Sequence, residues 1–530
     1  MPRYAYDRLS AQDLSFLLAE TEHSPMHVGG IAILEAGPLQ GDAGGVDIGR
    51  YRRSVEGLLH RIPRYRQKLA YIPFEDWPVW VDDCHFDLGY HIRHIALPRP
   101  GTLEQLHELA GRILSRRLDR ERPLWEIWVI EGLHDGDQVA LLNKVHHCMI
   151  DGAAGADLSQ ILFSPSPEVD EAEPLPYYPR PVPSGLELLG ESLRDRLGAP
   201  LRALRAAAGW LLDEDSSPLG AVKAGATAIG ERMAALREVL GWAMHPAPAT
   251  PINGELTPHR RVDWLTMPLD DVRELRRVLG CTINDVVLTI VTGAVRRYLF
   301  RRRVDPAALD FRIAAPVSVR RDEHANQLGN HVSSWILPLP LGSADPIAQL
   351  NTIRERTAEL KRSKSALAFE TVMAAAEYLP VSLIQRGVGL ADGPANMIVT
   401  NVPGPQFPLY AMGARLLGLY PIVPLLPGGG LGVALFSYEG KLCWGFNSDY
   451  ELVPNLAEFV DDVRWSFEQL RAAVVAHFLE RRTASELAED RGSAERADRP
   501  SEAVPEDAPA LRLVDRELHK ALPSRKAVQS

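Results

Sequence analysis

The sequence has few cysteines, and they lie far apart. Four occur in 530 residues, and no two form a CxxC pair: Cys84, Cys148, Cys281 and Cys443. This spacing gives no indication of a disulfide framework or of a structural zinc site. It favours a chain that works in a reducing cytosol.

Long apolar runs are also missing. No stretch reaches about 18 consecutive apolar residues, the length that predicts a transmembrane helix. The N-terminal segment MPRYAYDRLSAQDLSF has no apolar core of the length that signal peptides contain. Any contact with a membrane is therefore predicted to be peripheral.

The chain has no excess of positive charge. Lysine and arginine number 58 against 69 aspartates and glutamates, which gives a formal net charge of -11. A nucleic-acid-binding protein needs a basic face, so this balance argues against that class. Hydrophobic residues make up 46% of the chain, which is enough for a sizeable core. The length predicts two domains with additional segments.

The pattern along the chain predicts two α/β units. Residues 1–165 show helical and strand-like spacing, and the first helix is predicted to begin near Ser10. Residues 166–255 contain a Pro-rich linker and a helical segment. A second α/β unit is predicted for residues 256–475. The charged tail, residues 476–530, is predicted to have little fixed structure beyond a short helix.

The helical segment after the linker has an apolar stripe beside a row of arginines. The leucines begin at Leu186 and continue to Leu204, and Pro200 is predicted to kink or divide the helix. The simpler interpretation is a helix that packs on its own protein. A helix that lies on a membrane surface is the alternative.

The segment VHHCMIDG at residues 145–152 is the strongest candidate for chemistry. It follows the strand-like run QVALLNKVHH, which pairs in sequence with WEIWVIEGL across the turn residues HDGD. A metal site is disfavoured because adjacent residues of an extended segment point to opposite faces, so His146 and His147 rarely bind one ion. The same argument disfavours Cys148 as a nucleophile activated by His147.

Two interpretations of this segment remain. In one, His146 is a buried core residue, Asp151 forms a turn and Gly152 adopts a left-handed conformation. In the other, one histidine projects into a cleft as a general base, while Asp151 folds back to fix the loop and Gly152 permits a sharp turn. An imidazole is well suited to remove a hydroxyl proton at neutral pH.

Five segments together resemble one protein family. HHCMIDG matches the HHxxxDG motif of the CoA-dependent acyltransferase superfamily, which includes chloramphenicol acetyltransferase-like enzymes and peptide-synthetase condensation domains. The wider chain resembles the bacterial wax ester synthase/diacylglycerol acyltransferase family. The similar segments occur in the same order as in that family: LSAQDLSFLLAETEHSPMHVGG at 9–30, PLWEIWVIEGL at 123–133, TINDVVL at 282–288, PVSVRRDEHANQLGNHVS at 316–333 and NVPGP at 401–405.

This resemblance implies an α/β fold of two chloramphenicol acetyltransferase-like lobes with mixed sheets, and an active-site channel between them. It implies transfer of a long-chain acyl group from acyl-CoA, a co-substrate rather than a cofactor, to diacylglycerol or a fatty alcohol. His147 matches the family's catalytic base, and His146, Asp151 and Gly152 match the accompanying motif residues. A cytoplasmic enzyme at the inner membrane or at lipid inclusions is therefore expected.

The segment TINDVVL allows two roles for its polar residues. Thr282 and Asp285 have the spacing of a capping box at a helix start, which explains Asp285 without any chemistry. Asn284 is less well explained, because asparagine is a modest helix former. Its amide is a candidate to bind a developing oxyanion or to hold His147.

Two further groups of residues are weaker candidates for substrate binding. Pro123, Leu124 and Trp125 are predicted to be packing residues, with the wall of an acyl channel as the alternative. Arg320 and Arg321 are candidates to bind CoA phosphates, and a solvated surface pair is the alternative. Asn401, Pro403 and Gly404 are predicted to form a turn at the junction of the two lobes.

Two other functions are consistent with these motifs. The first is a condensation or polyketide-associated acyltransferase that receives its acyl chain from a carrier protein. The second is a lipid-binding or lipid-body surface protein that has the same fold without catalysis. The intact HHxxxDG motif argues against the second, because a binding protein has no need of a base.

Overall fold

The structure, a computed structural model, describes residues 6–42, 44–149, 162–169, 173–194, 246–318, 332–362, 376, 379–389 and 393–493. The strands of these ranges are β1 (Asp7–Arg8), β2 (His27–Glu35), β3 (Gln67–Tyr71), β4 (Pro78–Asp82), β5 (Ile92–Ala96), β6 (Trp125–Leu133), β7 (Gln138–His146), β8 (Arg260–Pro268), β9 (Arg312–Ser318), β10 (Val332–Pro338), β11 (Met397–Val402), β12 (Tyr410–Ala411), β13 (Ala414–Ile422), β14 (Leu431–Tyr438) and β15 (Lys441–Asp449). The helices are α1 (Ala11–Ala19), α2 (Ile48–Leu58), α3 (Leu88–His91), α4 (Leu103–Leu114), α5 (Leu269–Leu279), α6 (Ile283–Arg301), α7 (Pro346–Arg362), α8 (Val381–Gly389) and α9 (Leu456–Ser493).

One six-stranded sheet forms the centre of the first lobe. Its strand order is β12-β13-β2-β7-β6-β5, with β7 between two antiparallel neighbours and β5 parallel to β6. The hairpin of β6 and β7 is the one that the turn residues HDGD predict. Strand β7 is central in this sheet, and its residues are mostly apolar. The side chains on both of its faces are therefore mostly buried.

A second six-stranded sheet, in the order β10-β9-β11-β14-β15-β8, forms the centre of the second lobe. It is also mixed, because β11 runs parallel to β9 and β14 while the other neighbours are antiparallel. Helix α6 lies in the core of this lobe, and most of its side chains between Asp285 and Leu299 are buried. The predicted α/β class with two lobes and mixed sheets is confirmed.

The later part of the chain contributes strands β12 and β13 to the first-lobe sheet. Strand β13 lies late in the chain, yet it pairs with β2 of the first-lobe sheet. The chain reaches it from β11 of the second-lobe sheet through Pro403 and Gly404. The residues predicted as a turn do lie at the lobe junction, but Asn401 belongs to β11, and Pro403 and Gly404 continue the chain without forming a turn. A Cβ atom at Gly404 would lie 2.3 Å from the carbonyl oxygen of Ser437, so this close approach requires glycine.

Local signals explain where several helices begin and end. Ser10 caps α1 by accepting the backbone N–H of Asp13 at 3.1 Å. Thr102 opens α4 with a capping box, and Gly280 ends α5 in the left-handed region with a φ of 59°. These features were readable from the sequence because they involve residues three or four positions apart.

Helix α9 is longer than the composition predicts. It continues to Ser493, whereas the sequence predicts little fixed structure beyond a short helix near this point. The segment ERRTASELAEDR is rich in alanine, glutamate, leucine and arginine, which are strong helix formers, and this explains the extension.

The Pro-rich linker follows the surface of the first lobe as an extended chain. Arg180 makes a two-pronged ion pair with Asp82 of β4, at 2.7 and 2.9 Å, and the Tyr177 hydroxyl donates to the carbonyl of Arg66 at 3.2 Å. Residues 185–194 then form a helix. The rest of the predicted amphipathic segment lies outside the described residues.

Across the described ranges, no single helix is long and apolar enough to cross a membrane. The pair α5 and α6, bent by 102°, passes the same test of length and composition when taken together. Within the protein, this pair is packed in the core of the second lobe.

Candidate functional site

The predicted motif begins where β7 leaves the sheet. The strand ends at His146, and His147–Met149 form a single 3-10 turn. The two histidines have different partners, as the extended backbone predicts. His146 faces Glu20 and Cys148, whereas the ring of His147 lies against Phe16 of α1.

His146 is bound to the protein through one ring nitrogen. Its Nδ1 accepts the backbone N–H of Cys148 at 3.2 Å. Its Nε2 faces the Glu20 carboxylate at 3.6 Å, beyond hydrogen-bond distance, and has no hydrogen-bond partner among the described residues. The side chain is only 1% exposed, so the protein encloses His146.

Glu20, at the end of α1, anchors this part of the motif. Its Oε2 accepts two hydrogen bonds from Arg120, at 2.7 and 3.1 Å, and its Oε1 accepts the backbone N–H of Met26 at 3.3 Å. Burial acts to raise the pKa of Glu20, but the interactions with His146 and Arg120 outweigh it and lower the pKa to about 2. Glu20 is thus a carboxylate at neutral pH, held between two cationic or proton-donating groups.

His147 differs from His146 in its contacts and in the pKa of its ring. Its backbone N–H donates to the carbonyl of Met26 at 2.8 Å, and its ring stacks on Phe16 with 3.7 Å between centroids. Its Nδ1 has no hydrogen-bond partner among the described residues. Burial lowers the pKa of His147 to about 4, and the neighbouring charge of His146 contributes to the shift. The ring is therefore neutral at pH 7, and its Nδ1 is shielded from solvent.

Cys148 does not have the properties of a nucleophile. It is buried, and burial raises the pKa of its thiol well above the usual value, with Asp13 and Glu20 adding to the effect. A protonated buried thiol is a poor nucleophile. Its role here is to pack and to donate its backbone N–H to His146.

The predicted packing residues 123–125 lie beside the motif. All three are buried, and the carbonyl of Leu124 accepts the backbone N–H of His146 at 2.9 Å. The indole N–H of Trp125 donates to the carbonyl of Tyr65 at 2.8 Å, and His91 stacks on the indole. These contacts favour packing over a channel wall, because they fix β6 beside the end of β7.

The helix start at residues 282–285 forms the predicted capping box. Thr282 and Asp285 exchange both hydrogen bonds, and the second carboxylate oxygen of Asp285 accepts the hydroxyl of Thr357 at 3.0 Å. Asp285 is therefore fully explained by structure. The half-buried Asn284 makes no side-chain hydrogen bond to a described residue, and no contact joins it to His147 in those ranges. Its chemical role stays a prediction.

Four predicted site residues lie outside the described residues: Asp151, Gly152, Arg320 and Arg321. Over the ranges that are described, no group of three or more His, Cys, Asp or Glu side chains is placed to hold a metal ion.

Three side chains near the motif were missed by reasoning from the sequence. Glu20 and Arg120 are one hundred positions apart, so nothing local connects them. Lys144 of β7 is buried, and its Nζ donates to the carbonyls of Ile113 and Arg116 at 3.2 and 2.8 Å. The signal for Lys144 was present, because a lysine inside the apolar run QVALLNKV is unusual without buried partners.

Comparison with known proteins gives consistent results along most of the chain. Family models described as "wax ester synthase/diacylglycerol acyltransferase catalytic domain" and "WS/DGAT C-terminal domain" match residues 9–287 and 328–471. Two Mycobacterium tuberculosis proteins described as probable diacylglycerol O-acyltransferases, tgs1 and tgs2, are each 33% identical to this chain. The matches cover 86% of this chain and 94% of tgs1, and 88% of this chain and 99% of tgs2.

Solved structures show the same similarity in three dimensions. A wax ester synthase/diacylglycerol acyltransferase from Marinobacter aquaeolei VT8 is 25% identical, with a TM-score of 0.59, and the match covers 88% of this chain and 99% of that one. A starter condensation domain of rhizomide synthetase is 13% identical, with a TM-score of 0.55 over 88% of this chain and 95% of that one, and shares the fold alone.

Proposed function

This chain belongs to the wax ester synthase/diacylglycerol acyltransferase family and is an acyltransferase, and we propose that it moves a long-chain fatty acyl group from acyl-CoA to the hydroxyl of diacylglycerol. Fatty alcohols, which yield wax esters, are the second class of acceptor. Both acceptors present one hydroxyl on a long apolar body.

The difference between the two histidines carries this proposal. His146 is only 1% exposed, is hydrogen-bonded at Nδ1 and faces the Glu20 carboxylate, whereas His147 is half-buried and its ring is neutral. We therefore assign His147 as the general base. It removes the acceptor's hydroxyl proton while the oxygen attacks the thioester carbonyl. The tetrahedral intermediate then collapses, the C–S bond breaks, and the CoA thiolate takes the proton back from His147.

The proposed reaction is tested with purified protein and labelled palmitoyl-CoA. Dioleoylglycerol and hexadecanol are offered in parallel, each in phosphatidylcholine vesicles, and a palmitoylated carrier protein serves as a second donor. We expect labelled triacylglycerol from palmitoyl-CoA. Transfer from the carrier alone would favour the carrier-dependent alternative, and transfer from neither donor would contradict the proposal.

Because both acceptors reside in lipid, we also propose that the protein contacts lipid surfaces peripherally. Three exposed large apolar side chains each lie two positions in sequence from a member of the buried cluster that includes Leu14 of α1: Phe74 is 93% exposed, Leu186 83% and Leu383 49%. Exposed apolar side chains of this size are available to contact lipid. The same vesicles, floated on a density gradient, should carry the protein with them, and protein that stays at the bottom would contradict this part.

Replacing Glu20 with leucine should lower kcat more than it changes KM. Glu20 touches no substrate in the proposed mechanism. It fixes Met26, whose carbonyl binds the N–H of His147, and it faces His146. A small displacement of a base costs up to about 10²-fold in rate, so we expect a loss of roughly 10- to 100-fold in kcat. The KM for dioleoylglycerol should change by less than about threefold.

Two comparison variants separate positioning from general loss of structure. Glu20→Gln keeps an oxygen for the N–H of Met26 and should recover most of kcat. Glu359→Leu removes an exposed carboxylate of α7 and should leave kcat unchanged. If Glu20→Leu and Glu359→Leu behave alike, Glu20 has no positioning role.

The pH dependence of wild-type kcat/KM should reflect the low pKa of His147. The free enzyme needs a neutral His147, whose pKa burial lowers from 6.5 to about 4. The neutral form therefore persists below the usual range for histidine, and kcat/KM should fall tenfold per pH unit only below about 4. Aliquots returned to neutral pH must regain full activity, so that unfolding is excluded. An acid limb centred near 6.5 would contradict the assignment.

A further inference from the structure

A cavity of about 720 Å³ lies on the first lobe, between the end of α4 and strands β5, β6 and β7. Its lining is strongly cationic for a chain whose formal net charge is -11. Six basic side chains face it: Arg93, Arg112, Arg116, Arg117, Arg120 and Lys144.

The carboxylates of the cavity neutralise only part of this positive charge. Three carboxylates line it, and each already has a cationic partner: Glu20 with Arg120 at 2.7 Å, Glu126 with Arg93 at 3.4 Å and Asp119 with Arg122 at 3.5 Å. Arg116 and Arg117 form no ion pair with any residue that the structure describes. The cavity therefore has a surplus of positive charge with two guanidinium groups available at its rim.

The end of α4 does not cancel this surplus. The carbonyls at a helix C-terminus carry partial negative charge, which would repel an anion. Here the carbonyl of Ile113 in the last turn and that of Arg116 just beyond the helix bind the ammonium group of Lys144, at 3.2 and 2.8 Å. Burial lowers the pKa of Lys144 to about 8, so the group remains mostly protonated at neutral pH. This positive charge offsets the partial negative charge of the helix end, and the arginines line the cavity beside it.

The geometry points to a binding site for the phosphate groups of a phosphorylated ligand. Planar guanidinium groups bind oxyanions bidentately, which favours an oxyanion over a halide, and several guanidinium groups together suit the higher charge of a phosphate. The cavity is much larger than one phosphate, so it has room for an attached group, and the Tyr90 and Trp128 rings in its wall hold Arg93 by cation–π contacts at 4.6 and 5.2 Å. Two sources have this chemistry: the nucleotide end of CoA and the headgroup of an anionic phospholipid. The first source rests on the proposed function, and the second does not.

The cavity also touches the network that holds the motif. Glu20 and Arg120 line it, and the same Glu20 carboxylate faces His146 at 3.6 Å. A bound phosphate would thus lie one side chain away from the histidine pair. This places the site beside the proposed chemistry rather than on a remote surface.

Titration calorimetry on the full-length protein tests the site without any acyl transfer. The probes are adenosine 3′,5′-bisphosphate, which is the nucleotide end of CoA without its acyl arm, and dihexanoyl phosphatidic acid. We expect one of them to bind the wild type, and the double variant Arg116→Ala/Arg117→Ala to bind it about 10-fold more weakly or worse. The matched control Arg276→Ala/Arg277→Ala removes two adjacent exposed arginines at the end of α5 and should bind like the wild type.

The outcomes are distinct. Binding of the nucleotide identifies the donor's CoA as the ligand, and binding of the phosphatidic acid alone identifies a phospholipid. If neither probe binds, or if both double variants bind as well as the wild type, the proposed phosphate site does not exist. An equal loss in both double variants also overturns it, because the effect would then be one of overall charge. An enzyme that transfers palmitate but fails this test would overturn the phosphate site and leave the proposed function intact.

Discussion

Replacing His147 with alanine should reduce the rate of palmitoyl transfer to dioleoylglycerol by about 10²- to 10⁴-fold, the usual contribution of a general base. The loss should appear mainly in kcat, because the base acts on the proton that moves in the transition state. The physical basis is the contrast within the pair. His147 is half-buried and keeps a neutral ring, while His146 is almost fully buried, is hydrogen-bonded at Nδ1 and faces Glu20.

The measurement compares initial rates of wild type, His147→Ala and His60→Ala under saturating donor. His60 is an exposed histidine at the end of the helical turn after α2, and its replacement should leave the rate unchanged. Circular dichroism should show the same fold for all three proteins. If His147→Ala retains more than about a tenth of the wild-type rate, a base of this strength is not at position 147. The segment 145–152 would then be a buried turn.

The elements that the sequence predicted correctly depend on neighbours in the chain. The cap at Ser10, the capping box at Thr282 and Asp285, and the hairpin of β6 and β7 are encoded within a few residues. The end of β7 at His146 belongs to the same group. This local information placed the two histidines at the edge of a sheet. The resemblance to a family suggested which of them acts, and the near-complete burial of His146 beside Glu20 is consistent with that choice.

The elements that were missed depend on residues far apart. Nothing near Glu20 indicates that Arg120 will bind it, and nothing near β13 indicates that it will leave its own lobe to pair with β2. Hydrophobic periodicity predicts that a strand exists, but it does not predict its partner. The pairing of β13 with β2 means that a boundary drawn along the chain cannot separate the lobes.

Because the lobes are joined in this way, contacts at their junction should contribute to stability. The ion pair of Arg260 and Asp449 lies at this junction. Arg260 begins β8 of the second lobe, and its guanidinium donates to the carbonyl of His23 in the first lobe. Its backbone N–H donates to the hydroxyl of Ser115, at 2.9 Å. Asp449 ends β15 and is fully buried. Its Oδ2 accepts Arg260 at 3.3 Å and the N–H of Thr257 at 2.6 Å.

Replacing Asp449 with alanine should lower the free energy of unfolding by about 3–5 kcal/mol, because it leaves a buried guanidinium without its counter-charge. That loss is a large fraction of the roughly 5–15 kcal/mol by which a typical protein is stable. Urea unfolding followed by tryptophan fluorescence measures it as a shift of the midpoint. Asp449→Asn keeps one of the two acceptor oxygens and the volume of the side chain, so its loss should be smaller.

Asp461→Ala provides the matched control for this prediction. It removes an exposed aspartate of α9 that pairs with Arg464 three residues later, and exposed pairs of this kind contribute less than about 1 kcal/mol. The two substitutions delete the same charge and the same atoms, so the difference between them isolates burial at the lobe junction. Equal midpoints for Asp449→Ala and Asp461→Ala would show that the buried pair does not hold the lobes together. A much lower midpoint for Asp449→Ala, with lower palmitoyl transfer at a urea concentration that leaves Asp461→Ala active, would tie the junction to the activity.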